Sequence, residues 1–175
     1  MPSLADSLAP WHDLYVVTGT AAATLVGLLF VAASVGSGVF TEERRPAFRA
    51  FVSPSVVHFS SVLAASLMTI APVRRWSILA ALVSALGLFG IAYCGIVGRA
   101  MVRYGLAANI DLEDRVWYAG VPAIAYATLA AASWPLFSEN PTGLTVLACG
   151  MGLLLLAGIR NAWDITSWAI TRHRE

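Results

Sequence analysis

Apolar and polar positions along this chain do not alternate. They fall into long uncharged blocks divided by short charged clusters. Between Asp13 and Glu42 lie 28 uncharged residues, between Arg49 and Arg74 24, between Arg75 and Arg99 23, between Arg115 and Glu139 23, and between Glu139 and Arg160 20. A helix rises about 1.5 Å per residue, so about 20 residues cross a hydrocarbon core roughly 30 Å thick. Each block is long enough for one crossing and too short for two. Lipid offers no partner to a bare N–H or C=O, so a spanning segment must pair its own backbone, as a helix does. The short alternating segments of a membrane β-barrel are missing. The pattern predicts an all-α transmembrane bundle of five helices, at about 14–40, 51–73, 76–100, 115–137 and 141–171, in one transmembrane domain over 1–175.

Local signals mark several helix starts. Ser53-Pro54 and Asn140-Pro141 each place a capping side chain before a proline. Asp111 is placed to cap the fourth helix, with Glu113 and Asp114 near its positive end. The second helix starts either at Pro54, or at Pro46 with a kink at Pro54. The first apolar block is too long for the core of a cleaved signal, and no basic stretch precedes it, so it is read as a membrane helix.

Charge then orients the bundle. The N-terminal tail, the Arg74-Arg75 hairpin and the Glu139 loop share one side, which holds two arginines. The other side holds Arg44, Arg45, Arg49, Arg99, Arg103, Arg115, Arg160, Arg172 and Arg174. This bias predicts an outer N-terminus and a cytoplasmic C-terminus. Aromatic residues fall at both expected interfaces: Trp11, Tyr15, Trp76 and Trp134 outside, and Tyr104, Trp117, Tyr118, Trp163 and Trp168 inside.

Composition sharpens this reading. Of 175 residues, 58% are hydrophobic and 12% charged, with a mean hydropathy of +0.73. That charged share is about half of what a soluble domain carries. The net charge of +1 gives no basic face for nucleic acid. All cationic residues are arginine. Cys94 and Cys149 both lie in apolar blocks and read as small packing residues.

Helices in lipid associate through close packing and hydrogen bonds. Gly19, Ala23 and Gly27 recur at four-residue spacing on the first helix, beside Thr20 and Thr24. Ser84, Gly87, Gly95 and Gly98 lie near one face of the third, and Thr145, Cys149 and Gly152 mark the fifth. Such stripes serve packing within one bundle or a homo-oligomer interface.

Polar groups at membrane depth are costly and point to function. His58 lies about one turn into the second helix, on a face extended by Ser61, Ala65 and Thr69. It reads as a proton relay, gate or ligand contact, or as an interfacial histidine bonded to a carbonyl. Arg160 and Asp164, four apart, share a helix face with each other and flank Asn161. His58, Arg99, Arg103, Arg160, Asn161 and Asp164 all fall in the cytoplasmic third. They either line a vestibule there or knit helix ends together. Trp11-His12-Asp13 offers too few ligands for a metal. No HExxH, GxSxG or paired intramembrane aspartates occur, so neither an enzyme nor a cofactor is expected.

Two segments carry a resemblance. One is Pro10-Trp11-His12-Asp13 followed by Gly19-Thr20-Ala21-Ala22-Ala23-Thr24-Leu25-Val26-Gly27-Leu28-Leu29-Phe30-Val31-Ala32. The other is Gly158-Ile159-Arg160-Asn161-Ala162-Trp163-Asp164. Together they resemble a family of small bacterial multi-pass membrane proteins, some of which are labelled modulators of a membrane-bound AAA protease. The match covers parts of the first and fifth helices. It implies a bacterial cytoplasmic membrane location, and it carries over no catalytic residue.

Two functional classes follow. One is a homo-oligomeric passive pore or small transport protein, with hydroxyls such as Thr20 and Thr24 lining the path and an arginine-rich mouth. The other is an accessory or regulatory subunit of another membrane protein complex. With no charge at mid-membrane, ion-coupled transport is disfavoured more than a passive path.

Overall fold

The computed structural model describes residues 3–37, 45–73, 75–103 and 116–171, with side chains for 3–34, 54–73, 75–100 and 116–164. These residues are helical apart from short turns. A short helix α1 (Leu4–Leu8) leads through a 3-10 turn (Ala9–Trp11) into α2 (His12–Ser37). Then come α3 (Arg45–Ile70), α4 (Trp76–Arg103), a π-helical turn (Val116–Gly120), α5 (Val121–Phe137) and α6 (Thr142–Thr171). Asp111, Glu113, Asp114, Tyr104 and Arg115 lie outside the described residues.

The five long helices overlap the five charge-free blocks, with α3 starting earlier than expected, at Arg45. Four stretches are long and apolar enough to cross a membrane: Leu4–Ser34, Trp76–Ala100, Val116–Phe137 and Thr142–Asp164. The apolar described part of α3, Pro54–Ile70, is shorter. Large apolar side chains face outward all round, among them Val17, Phe30, Ile96 and Ile124. An outer surface of this kind belongs in lipid. Helix length and apolarity are those of an integral membrane protein. Trp134 and Trp163 are both highly exposed, towards opposite ends of the bundle. The rise of α6 from Thr142 to Trp163 is about 30 Å, the thickness of a hydrocarbon core.

Local chemistry accounts for the helix ends. Ser3 and Asp6 form a reciprocal capping box at α1: the Asp6 N–H donates to Ser3 Oγ (3.2 Å) and the Ser3 N–H to Asp6 Oδ2 (3.3 Å). α3 runs through Pro54 and starts at Arg45, beside Pro46, the other start that the sequence allows. It ends at Ile70, because Pro72 disfavours helical backbone at Ala71. At the α5–α6 turn, Asn140 N–H bonds to Pro135 C=O (2.9 Å) and Glu139 N–H to Leu136 C=O (3.1 Å). This pair of bonds is a Schellman closure, with Glu139 at φ 54° in the left-handed position that glycine usually fills. Asn140 Oδ1 then accepts from the Thr142 N–H (3.0 Å) and hydroxyl (2.8 Å), capping α6.

Packing gives the helix order. α3, α4, α5 and α6 form a four-helix set, with α5 wedged between α4 and α6, and α2 lies outside against α3. α4 and α5 run antiparallel at backbone contact. A Cβ on Gly87 would stand 2.5 Å from Ala130 N, and one on Gly90 would enter the Tyr126 ring. α5 and α6 are antiparallel too, with Gly143 against Leu136 and Gly150 against Leu129. Leu79, Val83, Leu129, Leu147, Met151 and Leu154 fill the core. α2 is fixed mainly through its first half: the Tyr15 hydroxyl donates to Leu144 C=O (2.9 Å), Thr18 Oγ1 lies 3.4 Å from Ser66 Oγ, and Gly19 closes on Ser66.

Candidate functional site

The polar interior is built around His58. On α3, Ser55, His58, Ser61 and Val62 recur at helical spacing, and all are buried. Tyr126 enters from α5, on the far diagonal of the four-helix set, because Gly90 of α4 leaves room for its ring. Its hydroxyl lies 3.1 Å from His58 Nδ1 and 3.0 Å from Ser61 Oγ. The Ser61 hydroxyl donates to Val57 C=O at 2.8 Å. Tyr93 of α4 meets the His58 ring edge-on, with centroids 6.4 Å apart.

Counting protons fixes the direction of this chain. Ser61 uses its one proton on Val57, so it can only accept from Tyr126. Tyr126 therefore donates to Ser61 and accepts from His58 Nδ1–H. The assignment follows from the network, since hydrogens are not themselves seen. His58 Nε2 is then a bare lone pair, and it has no partner among the described residues. The chain ends on a carbonyl. In this assignment the imidazole carries its proton on Nδ1.

Asn161 of α6 is 0% exposed, and neither its Oδ1 nor its Nδ2 has a partner among the described residues. Ser55 Oγ, also 0% exposed, is in the same condition. Helix register relates the three. Gly158 of α6 takes the Phe59 ring of α3 into the space a side chain would fill. α3 and α6 run in opposite directions, so Asn161, one turn past Gly158, stands level with Ser55, one turn before Phe59. His58, next to Phe59, lies about one turn further along α3 from Ser55. Buried polar groups are nearly always bonded, and each exception calls for an explanation.

Arg160 and Asp164 pair beside this layer, Nε to Oδ2 at 3.1 Å, with both side chains part-exposed. The Arg160 guanidinium also stands 5.7 Å from the centre of the Trp117 ring. Trp117 sits in the π-helical turn, a form that favours functional sites. Arg99 is exposed on α4, and the side chain of Arg103 is outside the described residues.

The other sequence-marked residues are elsewhere. Thr20 and Thr24 are exposed on α2, where the Thr24 hydroxyl bonds back to Thr20 C=O at 2.9 Å. Ala23 and Gly27 are exposed on the same helix, and no atom lies within 4 Å of a Cβ built on Gly27 or on the exposed Gly95. Gly19 and Gly87 are buried at helix contacts, and Ser84 is half-buried. Cys94 is buried and Cys149 exposed, both as free thiols. Among the described residues, no group of three or more His, Cys, Asp or Glu side chains is placed to hold a metal.

Sequence reading did not bring in Tyr126, Tyr93 or Ser55. Each had a signal. Tyr126 is a phenol in the middle of an apolar block, and a buried Tyr usually finds a hydrogen-bond partner. Ser55 lies one turn from His58. No family model, curated protein or solved structure matches the chain.

Proposed function

We propose that this is a small transport protein of a bacterial cytoplasmic membrane, with its N-terminus outside and its C-terminus inside, in which solute enters the polar layer around His58 and Asn161. One observation carries this reading: Ser55, His58 and Asn161 present four polar atoms inside one bundle with no partner among the described residues. Leaving such atoms unmet costs about 1–3 kcal/mol each, which a purely structural core would avoid. The neighbouring Arg160–Asp164 pair and Trp117 form the polar mouth of the path, and the arginine count at this end supports a cytoplasmic position. The exposed Thr20 and Thr24 have no place in this route. It runs within a bundle, and association of several copies would multiply it.

A second reading has its own support. The second half of α2 shows Leu28, Phe30 and Val31 largely exposed beside Gly27. Leu25, Val26 and Leu29 pack inward, and the outer face they leave exposed suits an accessory subunit that packs against another membrane protein, such as the protease that members of the resembled family are labelled as modulating.

Proteoliposome flux separates the two. The purified protein should speed entry of at least one small solute over protein-free vesicles, and Asn161→Leu should reduce that entry. No acceleration across a panel of ions and neutral solutes would defeat the transport reading. Native mass spectrometry from lipid that shows a fixed complex with another protein would favour the accessory one.

A further inference from the structure

A cavity of about 490 Å³ lies where α1, the start of α2 and the end of α3 meet. It sits at the opposite end of α3 from Ser55 and owes nothing to the transport reading. Its volume suits a small molecule and far exceeds what a lone ion needs. Leu8, Ile70 and Val73 supply apolar wall, and His12, Asp13, Tyr15 and Thr69 are polar residues in its lining.

Proton counting gives the cavity its character. The Tyr15 hydroxyl spends its proton on Leu144 C=O (2.9 Å) and the Thr69 hydroxyl on Ser66 C=O (2.8 Å). Both residues are buried, and their side-chain oxygens have only lone pairs left. Thr69 C=O is a further acceptor. Three positions on stands Pro72, which has no N–H, and four on stands Val73, whose N–H bonds to Ala71 C=O at 2.6 Å. This carbonyl also lies at the negative end of the α3 dipole. The backbone N–H of His12 is spent on Ala9 C=O. Asp13 adds an exposed carboxylate, and no ion pair joins it to another described residue.

A lining of one carboxylate and spent hydroxyls repels anions. It is too poor in ligands for a metal ion, since no three His, Cys, Asp or Glu side chains converge among the described residues. Its complement is an organic cation that brings its own N–H donors on a short apolar body. Bonds from such a donor to a carboxylate are charge-assisted and strong, and the body covers the apolar wall. We propose that this cavity binds a primary alkylammonium group, with Asp13 taking the charge, Thr69 accepting an N–H, and Leu8, Ile70 and Val73 covering the carbon chain. Such a group reaches the site as a free amine or as the headgroup of an aminophospholipid.

The test follows the side-chain carboxyl carbons of labelled aspartate by NMR, in phosphatidylcholine nanodiscs, with Asp13 assigned through Asp13→Asn. Butylammonium should shift the Asp13 resonance saturably. Butanol lacks the charge, sodium chloride the body and butyltrimethylammonium the N–H donors, so all three should leave it in place. Asp13→Asn should weaken butylammonium binding, read by calorimetry, by about tenfold or more. Thr69→Val keeps the shape and should weaken it less, and Leu8→Trp, which fills the cavity, should abolish it. Phosphatidylethanolamine discs identify the source. An Asp13 resonance already shifted there, and unmoved by butylammonium, assigns the site to the lipid headgroup; a titration unchanged between the two lipids assigns it to a free amine; both uphold the site. The proposal falls if butylammonium leaves Asp13 in place in phosphatidylcholine, or if any of the three controls shifts it as far. It also falls if folded Asp13→Asn binds butylammonium like the parent, or if folded Thr69→Val and Leu8→Trp both do.

Discussion

Replacing Tyr126 by phenylalanine removes one oxygen and changes almost no volume, so its cost isolates the diagonal brace between α5 and α3. That oxygen accepts from His58 Nδ1 at 3.1 Å and donates to Ser61 at 3.0 Å. Ser61 keeps its bond to Val57, so its side of the loss is one neutral hydrogen bond, about 1 kcal/mol. His58 loses its hydrogen-bond partner among the described residues and is left with a buried N–H, which costs about 1–3 kcal/mol. Helices separated within a membrane find other partners, and hydrogen bonds measured there average about 0.6 kcal/mol, which pulls the sum down. The expected loss for Tyr126→Phe is about 2 kcal/mol, read from reversible unfolding in mixed dodecyl sulfate micelles. His58→Leu should cost less, since Tyr126 still donates to Ser61. The double variant should be more stable than the two single losses imply, because removing both partners leaves no orphaned imidazole N–H. The reasoning is refuted if Tyr126→Phe lies within about 0.3 kcal/mol of the parent, or if the two substitutions add within the usual error of about 0.3–0.5 kcal/mol.

Three further substitutions probe the frame. Gly90→Ala would drive a methyl into the Tyr126 ring and should lower stability by about 1–3 kcal/mol, the usual cost of overpacking; an unchanged melting temperature in detergent would contradict the α4–α5 contact. Glu139→Gly relieves a left-handed residue at about 1–2 kcal/mol but frees the unfolded chain by roughly 0.5–1, so a net gain of up to about 1 kcal/mol is expected, and a lower melting temperature would show that the side chain does more than tolerate the turn. Gly27→Leu meets open space and should leave the stability of a single bundle unchanged; a fall in that stability would mean that the Gly27 face of α2 packs against its own chain, whereas a change in oligomer mass alone would place that face between copies.

Much of the frame was legible because charge is costly in lipid. The charge-free blocks gave five helices, and Asn140 caps α6 as its sequence signal implied. Pro54 misleads as a start signal, because a helix can pass through a proline when neighbouring helices hold it in place. The choice of inward face was much less legible. On a soluble helix, polarity marks the outside; in lipid, the outside is as apolar as the core. Thr20, Ala23 and Thr24 therefore looked equivalent to Gly19 and Ala22, although the structure exposes the first three and buries the other two. The same ambiguity hid Tyr126. His58 and Asn161 were marked by their cost at depth. Their shared layer depends on the pairing of α3 with α6, about a hundred positions apart in the chain, which no local pattern encodes.

The diagonal brace also bears on how the chain is made. α3 leaves the ribosome with Ser55, His58 and Ser61 on one face. Tyr126 and Asn161 have not yet been synthesised. Until α5 emerges, this polar face of α3 lacks its Tyr126 partner, so α3 should linger beside the insertion machinery or lie shallowly at the bilayer surface. Its final depth is then set post-insertionally, when α5 and α6 arrive, and nascent chains halted before Val121 should leave α3 open to water-borne labelling that the finished protein excludes.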